Sequence, residues 1–215
     1  MKGVIFDLDG VLVSTDELHY EAWARLAKEL GITGYSKKDN ERQRGVGRME
    51  SLEVVLETSD KQYSYEEKVE LAERKNNYYR ESLKGLTPND LLPGAKETLL
   101  LLKEKGIKIA VGSASKNALM ILEQIEILPL LDAVSSGLDV SKSKPDPEVF
   151  LVAAKKLNLK PEECLVVEDA AAGIEAANRG NMKSLAVGPF YEEIGGTYKA
   201  RDLSYVDNWD EILNN

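Results

Sequence analysis

The chain of 215 residues contains one cysteine, one histidine, no excess of basic residues and no long apolar run. The single cysteine, Cys164, excludes an intramolecular disulfide. Its neighbours Leu165, Val166 and Val167 make it a small buried hydrophobe rather than a reactive thiol. With 37 acidic residues against 28 basic ones, the formal net charge is −9, which argues against a general nucleic-acid binder and against electrostatic docking on an anionic membrane. No stretch approaches the ~20 apolar residues that span a bilayer. The run Val4-Ile5-Phe6 stops at Asp7, too short for the apolar region of a signal peptide. The expectation is a soluble, cytoplasmic monomer acting on a small molecule. A small anionic ligand stays compatible with the net charge, because screening over roughly 8 Å makes local charge count more than the total.

What is present is an alternation. Val4-Ile5-Phe6 reads as a short buried strand ending at Asp7-Leu8-Asp9-Gly10. Leu18, Ala22, Trp23, Leu26 and Leu30 fall at helical spacing, with Gly31 to end the helix. Ser36 to Leu86 is helical, charged and rich in tyrosine, and Ser64 with Glu67 forms a capping box before a long helix. From Leu91 onward helices and strands alternate. Helices are expected over Ala95–Lys105, Lys116–Ile127, Pro147–Leu157 with Asp146 as its cap, and Ala170–Arg179. Strands are expected at Ile107–Val111, Ala133–Ser136, Leu165–Val167 and Ser184–Val187. This is the pattern of a doubly wound α/β core, a parallel sheet with helices on both faces. The core is expected over residues 1–14 and 88–215, with an all-helical insertion over 15–87.

In such a sheet the binding crevice lies at the carboxyl ends of the strands. The residues that follow the strands are Asp7-Leu8-Asp9-Gly10, Gly112-Ser113-Ala114-Ser115, Lys144-Pro145-Asp146-Pro147 and Glu168-Asp169. Carboxylates gathered this closely repel and raise one another's pKa. A hard divalent cation with oxygen ligands relieves that repulsion, and Mg²⁺ commonly shares its coordination with a phosphate. Lys144 can balance phosphate charge, while Ser113 and the amides opening the next helix can cradle the same group. Each loop alone reads as a turn or a helix cap; together, at one rim, they suit phosphoryl chemistry. The Asp-x-Asp-Gly turn is not the start of an EF-hand, since the further acidic ligands are missing.

Phe6-Asp7-Leu8-Asp9-Gly10-Val11, the Ser113 loop, Lys144-Pro145 and Glu168-Asp169 resemble the four motifs of the haloacid dehalogenase-like superfamily, and the resemblance spans essentially the whole chain. It implies that Asp7 is the nucleophile that forms an aspartyl-phosphate and that Asp9 is the general acid/base. It implies that Ser113 and Lys144 hold the phosphoryl group. Mg²⁺ would be bound by Asp7, the backbone carbonyl of Asp9, and Asp169, with Glu168 beside them. Thr15 to Trp23, Arg44-Gly45-Val46-Gly47-Arg48 with Ser51, Arg74-Lys75-Asn76 and Ser113-Ala114-Ser115-Lys116-Asn117 look like the sugar-phosphate mutase branch of that superfamily.

That further likeness implies conversion of β-glucose 1-phosphate to glucose 6-phosphate through bound glucose 1,6-bisphosphate. Arg48 suits the distal phosphate, because its planar fork bonds phosphate bidentately. Gly45 and Gly47 would let the backbone approach it, and Lys116 and Asn117 would complete that subsite. Thr15 would orient Asp9, and His19 and Lys75 would bond Asp9 or the sugar. Trp23 is carried with the substrate residues but also continues the apolar stripe of its helix. The branch usually has lysine at Arg44 and serine or aspartate at Gly47. A sugar-phosphate phosphatase on the same scaffold is the alternative. A phosphorylated signalling receiver is disfavoured by the helical insertion and by Asp9.

Overall fold

A computed structural model describes residues 1–43 and 47–214. Arg44, Gly45 and Val46 lie outside the described residues. The chain divides into two compact units, residues 1–14 with 87–215, and residues 15–86.

The first unit is built on six parallel strands: β1 (Gly3–Phe6), β2 (Lys108–Gly112), β3 (Ala133–Ser135), β4 (Cys164–Glu168), β5 (Lys183–Ala186) and β6 (Tyr198–Lys199), in the order β3-β2-β1-β4-β5-β6. The doubly wound parallel sheet expected from the alternation is therefore present. Strand β6, which pairs Leu185 with Tyr198, goes beyond the expected set. Every residue of β1 and β4 is buried, the mark of a strand covered on both faces. On one face Ile5, Ala110 and Val166 pack with Phe150, Ala153 and Ala176. Two of these belong to α7 (Glu148–Lys156), and Ala176 belongs to α8 (Ala171–Arg179). Helices α5 (Ala95–Glu104), α6 (Ala118–Gln124) and α9 (Trp209–Asn214) complete the unit.

Two helices of this unit differ from the sequence reading. The helix expected over Lys116–Ile127 is shorter, Ala118–Gln124. At its start, Ser115 Oγ accepts from the Asn117 amide at 3.2 Å, which holds Lys116 and Asn117 in the loop. Beyond its end, Glu126 takes a positive φ of 58°, which a helix does not tolerate. At α7 the Asp146 carboxylate accepts from the Glu148 amide at 3.1 Å, the bond expected of a capping residue, and the helix itself begins at Glu148, one residue after the expected Pro147.

The second unit holds α1 (Asp16–Glu29), α2 (Lys37–Glu41), α3 (Arg48–Leu56) and α4 (Tyr65–Leu83). Its core joins Trp23, Leu26 and Ala27 of α1 to Leu52 and Val55 of α3 and to Leu71 and Ala72 of α4. The capping box opens α4: Ser64 Oγ accepts from the Glu67 amide at 3.2 Å, and the Glu67 carboxylate accepts from the Ser64 amide at 2.8 Å. Among the described residues, no helix is long and apolar enough to cross a membrane.

Candidate active site

The strand order reverses at β1, with β2 on one side and β4 on the other. That switch point is where an open α/β sheet leaves a crevice. Phe6 pairs with Val167, and the Asp7 amide donates to the Val167 carbonyl at 2.9 Å, so Asp7 leaves β1 beside Glu168. Phe6 also pairs with Val111, which brings Ser113 to the opposite side of Asp7. The backbone hydrogen bonds of three central strands thus deliver the motif residues to one rim.

Lys144 joins them. Its Nζ donates to Asp7 Oδ1 and to Glu168 Oε1, both at 2.6 Å, and its side chain is only 6% exposed. The other Glu168 oxygen accepts from the Ala170 amide at 2.7 Å. Two glycines make room for these carboxylates. A Cβ on Gly173 would stand 1.9 Å from Glu168 Oε1, and one on Gly10 would stand 2.0 Å from Asp169 Oδ2. Gly10 also has a φ of +81°, a backbone conformation that favours glycine.

One oxygen each from Asp7, Glu168 and Asp169 lies within 4.8 Å of the others. Burial pushes the Asp7 carboxyl up to about 7, assisted by the charges of Glu168 and Asp9 and opposed by Lys144. Burial, then Glu168 and Asp7, push Asp169 up to about 8. The same partners hold the Lys144 ammonium above its usual range, against the cost of its burial. Three converging carboxylates with one ammonium between two of them carry unrelieved negative charge. An all-oxygen donor set of this kind fits a hard divalent cation. The Asp9 side chain is not part of this trio.

In the neighbouring loop, Ser113 is buried and its Oγ accepts from the Ser115 amide at 3.1 Å. Ala114 and Lys116 are exposed, and Ser115 and Asn117 are half-buried.

The second unit assembles a different cluster. Thr15 precedes α1 and is fully buried, and its Oγ1 accepts from the Tyr79 hydroxyl at 2.9 Å. One turn on, His19 stacks on the Tyr79 ring at 3.9 Å between centroids, and Lys75 Nζ lies 2.7 Å from His19 Nδ1. An ammonium donates into an unprotonated nitrogen, so the imidazole is neutral with its proton on Nε2. Burial and the positive charges of Lys75 and Arg48 hold His19 well below its usual value. Arg48 opens α3, and its guanidinium reaches Glu73 Oε2 and Asn76 Oδ1, each at 3.0 Å. Ser51 is buried, its amide donating to the Gly47 carbonyl at 2.9 Å and its own carbonyl accepting from the Gln43 amide group at 2.7 Å.

Trp23 continues the apolar stripe of α1 into the core. It is 2% exposed inside the hydrophobic cluster, and its contribution to the site is a ring 4.6 Å from the Lys75 ammonium. Tyr79 lies one helical turn from Lys75 on the same buried face of α4, a spacing that marks it in the sequence as a partner of that lysine.

The family model of haloacid dehalogenase-like hydrolases matches residues 1–181. A β-phosphoglucomutase of Bacillus subtilis is 40% identical over 206 residues, 95% of this chain and 91% of that protein. A phosphorylated carbohydrates phosphatase of Thermotoga maritima is 34% identical over 86% of this chain and 84% of its own length. The crystal structure of a β-phosphoglucomutase from Clostridium difficile superposes with a TM-score of 0.90 at 40% identity, covering 100% of this chain and 96% of that one. With the family model matched over residues 1–181, the chain belongs to the haloacid dehalogenase-like hydrolases.

Proposed function

We propose that the protein is a phosphoryl-transfer mutase that interconverts β-glucose 1-phosphate and glucose 6-phosphate through bound glucose 1,6-bisphosphate. The observation that carries this reading is the 40% identity to the Bacillus β-phosphoglucomutase along nearly the whole chain. The clusters of the two units support it. One unit provides the transfer chemistry, and residues 15–86 provide the choice of sugar.

The Asp7 carboxylate is the nucleophile. Its oxygen forms the new bond to phosphorus as the phosphate ester bond to the sugar breaks. Asp9 gives a proton to the departing sugar oxygen. In the second half of the reaction it removes a proton from the hydroxyl that accepts the phosphoryl group. Lys144, already paired with Asp7, holds the negative charge of the phosphoryl oxygens, and Ser113 with the amides beyond it cradles them. Asp7 and Asp169, with Glu168 beside them, would hold Mg²⁺ together with the carbonyl of Asp9, and the ion would neutralise charge on the carboxylates and the phosphate.

Arg48 takes the distal phosphate. Its partner Glu73 is exposed, and an exposed ion pair is worth about 1 kcal/mol or less, so a phosphate displaces it at small cost. Asn76 keeps the guanidinium oriented meanwhile. Neutral His19 and Lys75 hydrogen-bond the sugar, with Thr15 and Tyr79 fixing their positions. In this reading Gly47 shares the role of Arg48, and in the other unit Lys116 and Asn117 are assigned to phosphate binding.

The test supplies β-glucose 1-phosphate, Mg²⁺ and a catalytic amount of glucose 1,6-bisphosphate, and follows phosphorus resonances. Glucose 6-phosphate as main product supports the reading. Inorganic phosphate as main product assigns the protein to sugar-phosphate hydrolysis instead.

A further inference from the structure

Lys144 has an uncharged neighbour besides the carboxylates. Its Nζ lies 4.7 Å from the centroid of the Phe150 ring. An ammonium within about 6 Å of an aromatic face is attracted by the ring quadrupole, most strongly where water is excluded. Water is excluded here: Phe150 is fully buried and the Lys144 side chain nearly so.

The space for the ring is specifically cleared. A Cβ on Gly112, the last residue of β2, would stand 2.7 Å from Phe150 Cδ1 and 3.1 Å from Cε1, closer than side chains pack. The bare backbone at Gly112 therefore lets the ring slide under the ammonium. A core position at the head of α7 calls only for an apolar side chain of suitable volume, which leucine also supplies. Core filling accounts for Phe150's size; the ammonium above it accounts for its aromatic character.

We propose that Phe150 is a positioning residue: its ring face, seated on Gly112, holds the Lys144 ammonium between Asp7 and Glu168. Two carboxylates alone fix Nζ along the line between them, and the ring fixes it in the remaining direction. Its consequence for phosphoryl transfer rests on the role of Lys144 in the proposed function.

The test replaces Phe150 in the full chain with 4-fluoro-, 3,5-difluoro- and 3,4,5-trifluorophenylalanine, which drain the ring face of negative charge while nearly keeping its shape. Two quantities are read alongside Tm. The first is the nitrogen–proton resonance of the Lys144 ammonium, identified by its loss in Lys144→Gln. The second is the rate at which acetyl phosphate phosphorylates Asp7 with Mg²⁺ present. The expected result is a slowly exchanging Lys144 resonance in the unmodified protein that shifts and exchanges faster with each added fluorine. The phosphorylation rate falls in step, by about tenfold across the series, while Tm falls by no more than about 4 °C, the share owed to the same lost attraction.

The proposal is overturned if Lys144 shows no protected resonance in the unmodified protein. It is equally overturned if resonance or rate stays flat across the series, or follows Tm alone. A graded resonance in a protein that takes no phosphoryl group from acetyl phosphate or sugar phosphates upholds the placement of Lys144 and refutes the proposed function, so the two fail separately.

Discussion

Replacing Gly173 by alanine sets two effects of opposite sign against each other. Gly173 is the third residue of α8, and alanine in a helix is favoured over glycine by up to about 1 kcal/mol. Propensity alone therefore makes Gly173→Ala stabilising. The geometry says otherwise, because the added Cβ would stand 1.9 Å from Glu168 Oε1 and 2.0 Å from its Cδ. The Glu168 carboxylate has to leave, giving up the Lys144 ammonium at 2.6 Å and the Ala170 amide at 2.7 Å. Hydrogen bonds to charged groups contribute roughly 1.5–3 kcal/mol each, and a buried ammonium robbed of a partner costs about 3–5 kcal/mol. These losses overlap and Lys144 keeps Asp7, so we expect a net destabilisation of about 2–4 kcal/mol after the propensity gain. Urea denaturation of the full chain measures it. The double variant Gly173→Ala/Glu168→Asp, whose shorter carboxylate avoids the Cβ, should be more stable than the sum of the single changes allows, by about 1 kcal/mol or more. A Gly173→Ala protein as stable as the parent refutes the argument that glycine is there to seat Glu168.

The other expectations concern the nucleophile and the helical unit. Asp7→Asn should abolish the covalent phosphoenzyme, and a labelled adduct in that variant contradicts the assigned nucleophile. Arg48→Ala should weaken binding of sugar phosphates and bisphosphate while acetyl phosphate still phosphorylates Asp7; equal loss with both donors argues against a distal-phosphate role. His19 has its proton affinity lowered on folding, so the unfolded chain binds the proton more readily. Its contribution to stability is complete above about pH 6.5 and is lost as pH falls below that value. The carbon-bound ring protons of native His19 should accordingly keep one chemical shift from pH 8 to pH 6, and a titration midpoint near 6.5 contradicts the buried, Lys75-paired imidazole. Tyr79→Phe removes the hydrogen bond to Thr15 and should cost about 1 kcal/mol in denaturation of the full chain, with no change if that bond contributes nothing.

The features legible in the sequence were those set by local chemistry. Val4-Ile5-Phe6 and Leu165-Val166-Val167 are apolar on both faces and end in acids, so both the strands and their carboxyl ends could be read directly. The Ser64–Glu67 capping box spans three residues and forms as written. What stayed hidden depends on chain segments far apart. Phe150 looks like one more apolar residue of α7 until packing on the sheet brings its ring to Lys144 and to the bare backbone of Gly112. Gly173 reads as a weak point in a helix until the path of Glu168 is known. His19 and Lys75 are 56 residues apart and meet only because α1 lies against α4. Strand β6 has two residues, too few to show a period, and owes its place to pairing with Leu185 and Ala186. Trp23 was ambiguous because one side chain serves two purposes, filling the core and flooring Lys75.

The most direct test of the mutase reading is a single turnover of the isolated Asp7 phosphoenzyme. It is mixed with β-glucose 1-phosphate in one arm, α-glucose 1-phosphate in a second and buffer alone in a third, and quenched on the millisecond scale. Transfer of the phosphoryl group from Asp7 to the β anomer, giving glucose 1,6-bisphosphate far faster than phosphate is released in buffer, is the expected result. Release of inorganic phosphate at the same rate in all three arms contradicts it.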